Sequence, residues 1–136
     1  MQKMSWREAA SLPALTLAYI GDGVFELGVR LYFLDRGTRR AEELHVQAVN
    51  CVKATFQSRF YHDLEPRLSE EELRVMKRGR NAKNGHQPKH SDVSDYRKAT
   101  GVEALFGALW LGGKEERLEE LFAALYDFIE KEDHHE

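Results

Sequence analysis

The sequence has only one cysteine and three prolines. A single cysteine excludes an internal disulfide and is typical of a reducing, cytoplasmic setting, with Cys51 expected as a small core residue. The N-terminal residues MQKMSWREAASLP have no basic and apolar regions of the signal-peptide kind, so a signal peptide is not expected. No stretch of five residues alternates apolar and polar side chains between turn signals. We therefore predict an all-α protein.

The chain of 136 residues has the length of one domain, and we assign residues 1–136 to it. A domain of this size buries roughly 68% of its unfolded surface in a single core. The net charge of −3 is unevenly distributed. The segment from Leu73 to Lys98 has eight basic and two acidic residues, a formal +6, which leaves −9 on the remainder. Such a basic segment in an acidic domain indicates a local contact with a polyanion.

The longest apolar stretch runs from Leu15 to Leu34 and has three charges, Asp22, Glu26 and Arg30, at every fourth position. Charges in the middle of the stretch argue against a membrane span. We predict instead a central, mostly buried helix with the three charges on one face. Arg30 is expected to pair with Glu26, which leaves Asp22 without a cation on its own helix.

Two glycines, Gly21 and Gly23, flank Asp22. Glycine costs a helix up to about 1 kcal/mol per residue relative to alanine, so two of them around one acid need a reason. We expect another backbone or the ligand shell of a metal to approach closely at this point.

The remaining periodicity predicts a bundle of six or seven helices. One long helix is expected from about Arg40 to Tyr61, and another begins at a capping-box sequence, Ser69 to Glu72. A further helix, capped by Ser94 or Asp95, should end at Gly112-Gly113. The other expected segments are a short first helix from Met4 to Ala10, a final helix from about Glu115 to Glu132 and a tail at residues 130–136.

The residues from Gly79 to Ser94, GRNAKNGHQPKHSDVS, show no hydrophobic periodicity and are predicted to form a loop. Sixteen residues without an element are long for a compact domain, and loops of this length are usually functional or disordered. The basic content of this loop favours function.

A second carboxylate, Glu103, lies within an apolar helix that follows the basic loop. If this helix faces the one with Asp22, the two acids could share a divalent metal while the loop binds an anionic substrate. Oxygen ligands favour Mg²⁺ or Mn²⁺, and phosphodiester hydrolysis is the chemistry that such a site performs. The alternative is a structural network in which Arg30, Arg97 or Lys98 neutralises the acids.

Two motifs give a more specific indication. The stretch LAYIGDGVFEL resembles the signature of the ribonuclease III catalytic domain, and RGRNAKNGHQPKHSDVSDYRKATGVEALFGALWL, from Arg78 to Leu111, supports it. The resemblance is greatest to the Mini-III ribonucleases, the short bacterial branch without a separate double-stranded-RNA-binding domain. It covers most of the chain.

The resemblance implies a helical endonuclease domain that forms a homodimer with a basic valley for double-stranded RNA. It implies Mg²⁺-dependent cleavage of both strands to 5′-phosphate products, with Mn²⁺ as a substitute. By motif, Asp22 and Glu103 are the catalytic residues and hold the metal. Ala18 and Thr100 replace two acids of the longer ribonuclease III enzymes, which makes a stable two-ion site before RNA binds less expected.

The implied biological role is maturation of the large-subunit (23S) ribosomal RNA precursor in the cytoplasm, alongside a ribosomal protein. Phosphate contacts are expected from Arg78, Arg80, Lys83, Lys89 and Arg97, and A-form shape would identify RNA. Two other functions remain open at this point: a non-catalytic helical RNA- or ribosome-binding module, and a metal-dependent hydrolase of small phosphate esters or nucleotides.

Overall fold

The computed structural model describes residues 4–83 and 92–133. All regular elements in these two ranges are helical, so the predicted all-α fold is confirmed. A short 3-10 turn, Glu65–Arg67, separates the fourth and fifth α-helices. The α-helices are α1 (Trp6–Ala10), α2 (Ala14–Asp35), α3 (Ala41–Cys51), α4 (Ala54–Leu64), α5 (Glu70–Asn81), α6 (Val93–Leu111) and α7 (Glu115–Asp133).

Helix α6 is the centre of the fold, because α1, α2, α4, α5 and α7 all pack against it. Its residues are buried almost continuously from Ala99 to Leu109. The ring of Phe106 lies edge-on to Phe25 of α2, with 5.5 Å between ring centroids, and 6.4 Å from Phe60 of α4. A helix that is apolar on nearly every side is stable only in such a position.

Helix α2 was predicted to be mostly buried, and this prediction is wrong for one of its two sides. One side packs on α6, whereas the other exposes Tyr19 (82%), Leu27 (53%) and Leu31 (45%). Nothing in the described part of the chain covers these side chains. None of the described helices combines the length and the apolar character that crossing a membrane requires.

The single helix expected from Arg40 to Tyr61 is two helices, α3 and α4. The chain breaks at Val52 and Lys53, where Lys53 has an extended backbone (φ −66°, ψ 147°). The break lets α3 pack on α2 while α4 packs on α6 and α7. Hydrophobic periodicity continues across the break, so it could not reveal the change of direction.

The helix ends follow capping chemistry. The Ser69 hydroxyl accepts from the Glu72 N–H at 3.2 Å and the Glu72 carboxylate accepts from the Ser69 N–H at 2.9 Å, which confirms the predicted capping box. Helix α6 is capped by Asp92, not by Ser94 or Asp95 as predicted, because the Asp92 carboxylate accepts from the Ser94 N–H at 2.8 Å. It ends at Leu111, directly before the expected glycines.

The connection between α5 and α6 is shorter than predicted, since α5 reaches Asn81 and α6 begins at Val93. The middle of the predicted loop, residues 84–91, lies outside the described residues. Helix α7 runs from Glu115 to Asp133, which confirms the predicted final helix and shows that residues 130–133 belong to it and not to a tail. Residues 134–136 lie outside the described residues.

Candidate active site

The backbones of α2 and α6 approach each other directly at two glycines. A Cβ atom added to Gly21 would lie 1.5 Å from the backbone oxygen of Glu103, and one added to Gly107 would lie 2.0 Å from the backbone oxygen of Leu17. No side chain fits at either position. This approach places Asp22, the neighbour of Gly21, beside Glu103.

The prediction that both flanking glycines mark a close approach is confirmed for Gly21 and wrong for Gly23. A Cβ atom at Gly23 would have no neighbouring atom within 4 Å. At 3.6 residues per turn, two residues along the chain is more than half a turn around the helix. Gly23 therefore faces away from α6.

The side chains of Asp22 and Glu103 interact. Burial raises the pKa of the Glu103 carboxyl to about 8, and the charge of Asp22 and a hydrogen bond between the two carboxyl groups raise it as well. Glu103 is half-buried, but Asp22 is exposed. The prediction of two buried acids is thus wrong for Asp22, because the carboxylate lies at the mouth of the site and not in the core.

No arginine, lysine or histidine nitrogen within residues 4–83 and 92–133 lies within 4.0 Å of either carboxylate. Arg30 pairs with Glu26 at 2.8 Å, as predicted from their spacing. The geometry therefore contradicts the alternative in which Arg30 neutralises the two acids. When both acids are ionised, their charges oppose each other without a neutralising side chain, and a cation from solution fits this arrangement.

A third residue of the site, Gln57 of α4, was not identified from the sequence. Its side chain is 2% exposed, and its Nε2 donates to the Val52 backbone oxygen at 3.0 Å and to Glu103 Oε2 at 3.4 Å. Because a backbone oxygen only accepts, these contacts fix the orientation of the amide. The buried Oε1 atom has no protein partner among the described residues. The sequence signal that could have identified Gln57 is its position, as a polar residue, on the same helical face as Tyr61 and Leu64.

These atoms are suited to a hard divalent cation. Two carboxylates and an amide oxygen are ligands that Mg²⁺ and Mn²⁺ accept, and Mg²⁺ usually takes one or two carboxylates and keeps several waters. No group of three or more His, Cys, Asp or Glu side chains in the described ranges has metal-binding geometry. The donor set therefore fits one hydrated ion better than a closed site.

A basic cleft lies where the end of α5 meets the first turns of α6. It has a volume of about 240 Å³ and is lined by Arg80, Asn81, Arg97 and Lys98 with Val93 and Ser94. The guanidinium of Arg80 donates to the Tyr61 hydroxyl at 3.1 Å, and Tyr61 is one turn after Gln57 on α4. Along α6, Arg97 precedes Glu103 by six residues, which is about 9 Å at 1.5 Å per residue.

The structure does not bring all of the predicted RNA-contacting residues into this cleft. Arg80 and Arg97 line it, and Lys83 is exposed just after α5. Arg78 points away from it and donates to the Leu12 backbone oxygen at 2.7 Å. Lys89 lies outside the described residues.

Comparison with known proteins identifies relatives along most of the chain. Residues 15–114 match the family model described as "Ribonuclease III domain". The chain is 48% identical over 121 residues to the Mini-ribonuclease 3 of Symbiobacterium thermophilum, covering 89% of this chain and 93% of that protein. It is 47% identical over 129 residues to the Mini-ribonuclease 3 of Desulfitobacterium hafniense, covering 95% and 80%. A crystal structure from Fusobacterium nucleatum superposes with a TM-score of 0.75 at 31% identity, covering 90% and 95%.

Proposed function

Because this chain belongs to the ribonuclease III family and is an endoribonuclease, we propose that it cleaves double-stranded RNA with a divalent metal ion held by Asp22 and Glu103. The observation that carries the proposal is the contact between these two carboxylates, which no described cation neutralises. A basic cleft at the start of α6, the helix that contains Glu103, supports it. A non-catalytic RNA-binding module would gain nothing from adjacent carboxylates near phosphate.

The proposed cofactor is Mg²⁺, for which Mn²⁺ can substitute. When bound, such an ion lowers the pKa of a coordinated water and neutralises charge that develops on the phosphate. Asp22 and Glu103 are its proposed protein ligands. Ligands must be deprotonated to bind metal, so the raised pKa of Glu103 makes binding release a proton below about pH 8.

Gln57 has a proposed positioning role in this reaction. Its Nε2 donates to one oxygen of Glu103 and so would fix the orientation of this carboxylate for binding the ion. Its Oε1 can accept a hydrogen bond from a water of the ion's shell, which would satisfy a buried acceptor that the described residues leave without a partner.

The cations near the cleft are the proposed contacts to RNA phosphates. Arg80 and Arg97 line the cleft, and Lys83 is exposed two residues after α5. Arg78, which lies away from the cleft, and Lys89 complete the proposed set. Contacts to phosphates do not depend on the base sequence, so the A-form shape and the 2′-hydroxyls would distinguish RNA from DNA. Binding should weaken steeply with salt.

In the cell, the proposed substrate is the 23S ribosomal RNA precursor, in the cytoplasm and with a ribosomal protein bound to the precursor. This part of the proposal rests on the resemblance of the Arg78 to Leu111 motif to Mini-III ribonucleases. Cys51 is buried and forms no disulfide, and burial raises the pKa of its thiol to about 12. A free thiol of this kind suits a reducing compartment.

The substrate class can be tested directly. The protein is incubated with duplex RNA, duplex DNA and mononucleotides, each with Mg²⁺ or with EDTA. We expect cleavage of duplex RNA alone, only with Mg²⁺, to products with 5′-phosphates. Binding of duplex RNA without cleavage would favour the non-catalytic module, and hydrolysis of mononucleotides would favour a hydrolase of small phosphate esters.

The proposed assembly is a homodimer formed through the exposed side of α2. Leu27 and Leu31 are exposed there beside Trp110 (41%), and a depression of about 290 Å³ between them is largely apolar. Contiguous apolar surface of this kind marks an interaction site. A second copy of the chain would cover it and place two active sites on one assembly.

We expect Leu27→Glu to convert the dimer to a monomer, because it places a charge in the proposed interface. Sedimentation equilibrium measures the change. Val46→Glu on α3, where Val46 is also exposed, is the matched control and should leave the mass unchanged. A wild-type monomer with full cleavage activity would contradict the dimer.

A further inference from the structure

A second basic groove lies between α1 and α5 and has no role in the function described so far. Its volume is about 730 Å³. Its apolar residues are Trp6, Ala10 and Val75. The cations that line it are Arg7, Arg74, Lys77 and Arg78.

The groove contains more positive charge than its surroundings neutralise. The one acid that lines it, Glu71, accepts a hydrogen bond from the Trp6 indole at 2.9 Å. Within the described ranges, no carboxylate lies within 4.0 Å of the side-chain nitrogens of Arg7, Arg74 or Lys77. Other arginines of the surface do have acidic partners: Arg30, Arg36, Arg40, Arg59, Arg67 and Arg117.

This contrast matters because like charges in one groove repel each other and oppose folding. At these six arginines the chain supplies a carboxylate, whereas the described residues supply none within 4.0 Å of Arg7, Arg74 or Lys77. Cations on a low-dielectric wall also concentrate the electric field, which attracts an anion more strongly than scattered surface charges do. The groove is therefore suited to an anionic ligand.

The groove adjoins the cleft at the start of α6. Arg74, Lys77, Arg78 and Asn81 follow the i, i+3, i+4, i+7 spacing of one helical face, and this face of α5 turns towards α1. Asn81 also lines the cleft that Arg80 and Arg97 form. One basic surface thus extends from α1, around the end of α5, to α6.

The groove is also at a distance from the chemistry. Arg78 is held at its edge by a hydrogen bond to the backbone oxygen of Leu12. Leu12 lies two residues before α2, and Asp22 follows the first residue of α2 by eight residues, which is about 12 Å along the helix. A ligand that occupied both the groove and the active site would have to be an extended polyanion.

We propose that this groove binds backbone phosphates of the same RNA duplex, outside the segment that is cleaved. The inference rests on the proposed function and adds Arg7, Arg74 and Lys77 to the RNA-binding surface. A duplex is favoured over an acidic protein segment because the groove and the cleft at the start of α6, the helix that contains Glu103, share Asn81 and are both lined by cations.

The test uses the triple variant Arg7→Gln, Arg74→Gln, Lys77→Gln, which leaves Arg78 and its hydrogen bond intact. The matched control is Arg40→Gln, Arg59→Gln, Arg67→Gln, which removes the same charge from arginines that have acidic partners. Binding of a fluorescent duplex RNA is measured by anisotropy in EDTA across a salt series. Thermal melting checks the fold, and Arg74→Gln alone serves if the triple variant is unstable.

We expect the groove variant to bind duplex RNA about tenfold more weakly than the wild type. The slope of log affinity against log salt should fall in magnitude by about 1 to 3, because each phosphate contact contributes about 0.9 to it. The control should retain wild-type affinity. In cleavage assays with Mg²⁺, KM should rise while kcat is unchanged, because the groove lies outside the chemistry.

Equal weakening by both triple variants would show a net-charge effect only and would overturn the proposal. So would unchanged RNA binding, or a fall in kcat. A groove variant that loses affinity for poly-glutamate but not for RNA would assign the groove to an acidic protein instead. If the wild-type protein binds no duplex RNA, the proposed function itself fails, which is a different outcome from failure of the groove alone.

Discussion

Asp22→Asn is expected to reduce cleavage of duplex RNA at least ~10³-fold, because a metal ion supplies several kcal/mol of transition-state stabilisation and the neutral amide binds it more weakly than the carboxylate does. The variant should still bind duplex RNA, since Asp22 is exposed and removing its charge lessens repulsion of phosphate. Single-turnover cleavage and anisotropy measure the two properties. Cleavage at the wild-type rate would remove Asp22 from the site.

Glu103→Gln should reduce cleavage to a similar extent. It should also change the pH dependence of stability, which distinguishes it from a variant that has simply lost its structure. The pKa of the Glu103 carboxyl is raised from 4.5 to about 8 in the folded protein. Between these two values the folded state binds more protons at this group than the unfolded state, so stability falls as pH rises. Above about pH 8 the loss is complete.

The metal-free wild-type protein should therefore lose stability between about pH 4.5 and pH 8, and Glu103→Gln should remove this part of the pH dependence. Urea unfolding in EDTA across this range measures it. At alkaline pH the inactive variant should be the more stable protein. Parallel stability curves for wild type and variant would show that Glu103 ionises normally, and the carboxylate contact would then be wrong.

Gly21→Ala is expected to have the largest effect on stability, about 3 kcal/mol or more, because overpacking that only a backbone shift can relieve is costly. The added methyl group would lie 1.5 Å from the Glu103 backbone oxygen and 2.8 Å from the Gly107 nitrogen. Any molecules that fold should also cleave slowly, since α2 and α6 must separate and Asp22 moves away from Glu103. Urea unfolding and cleavage rates measure both effects.

Gly23→Ala is the matched control on the same helix. It has open space around the new methyl group, so the better helix propensity of alanine should stabilise the protein by ~0.5–1 kcal/mol. If Gly21→Ala were as harmless as Gly23→Ala, the close approach of the two helices would be wrong.

Helix identity and most helix ends could be predicted from the sequence because they depend on neighbours within one or two turns. The capping box at Ser69 and the stop before Gly112 are of this kind. The pair of Arg30 and Glu26 is as well, since i, i+4 spacing alone brings the side chains together. The break at Val52 and Lys53 was missed, because it depends on where α3 and α4 pack and not on local pattern.

The sequence by itself determined the helical class, the two acids, the basic segment and, through its motifs, the resemblance to ribonuclease III. Only the tertiary structure decided that Asp22 is exposed, that Gln57 contacts Glu103, and that Arg78 belongs to a separate groove. The physical reason is range. Local hydrogen bonding and periodicity act over a few residues, whereas the approach of Gly21 to the Glu103 backbone joins atoms from distant helices, and packing alone determines it.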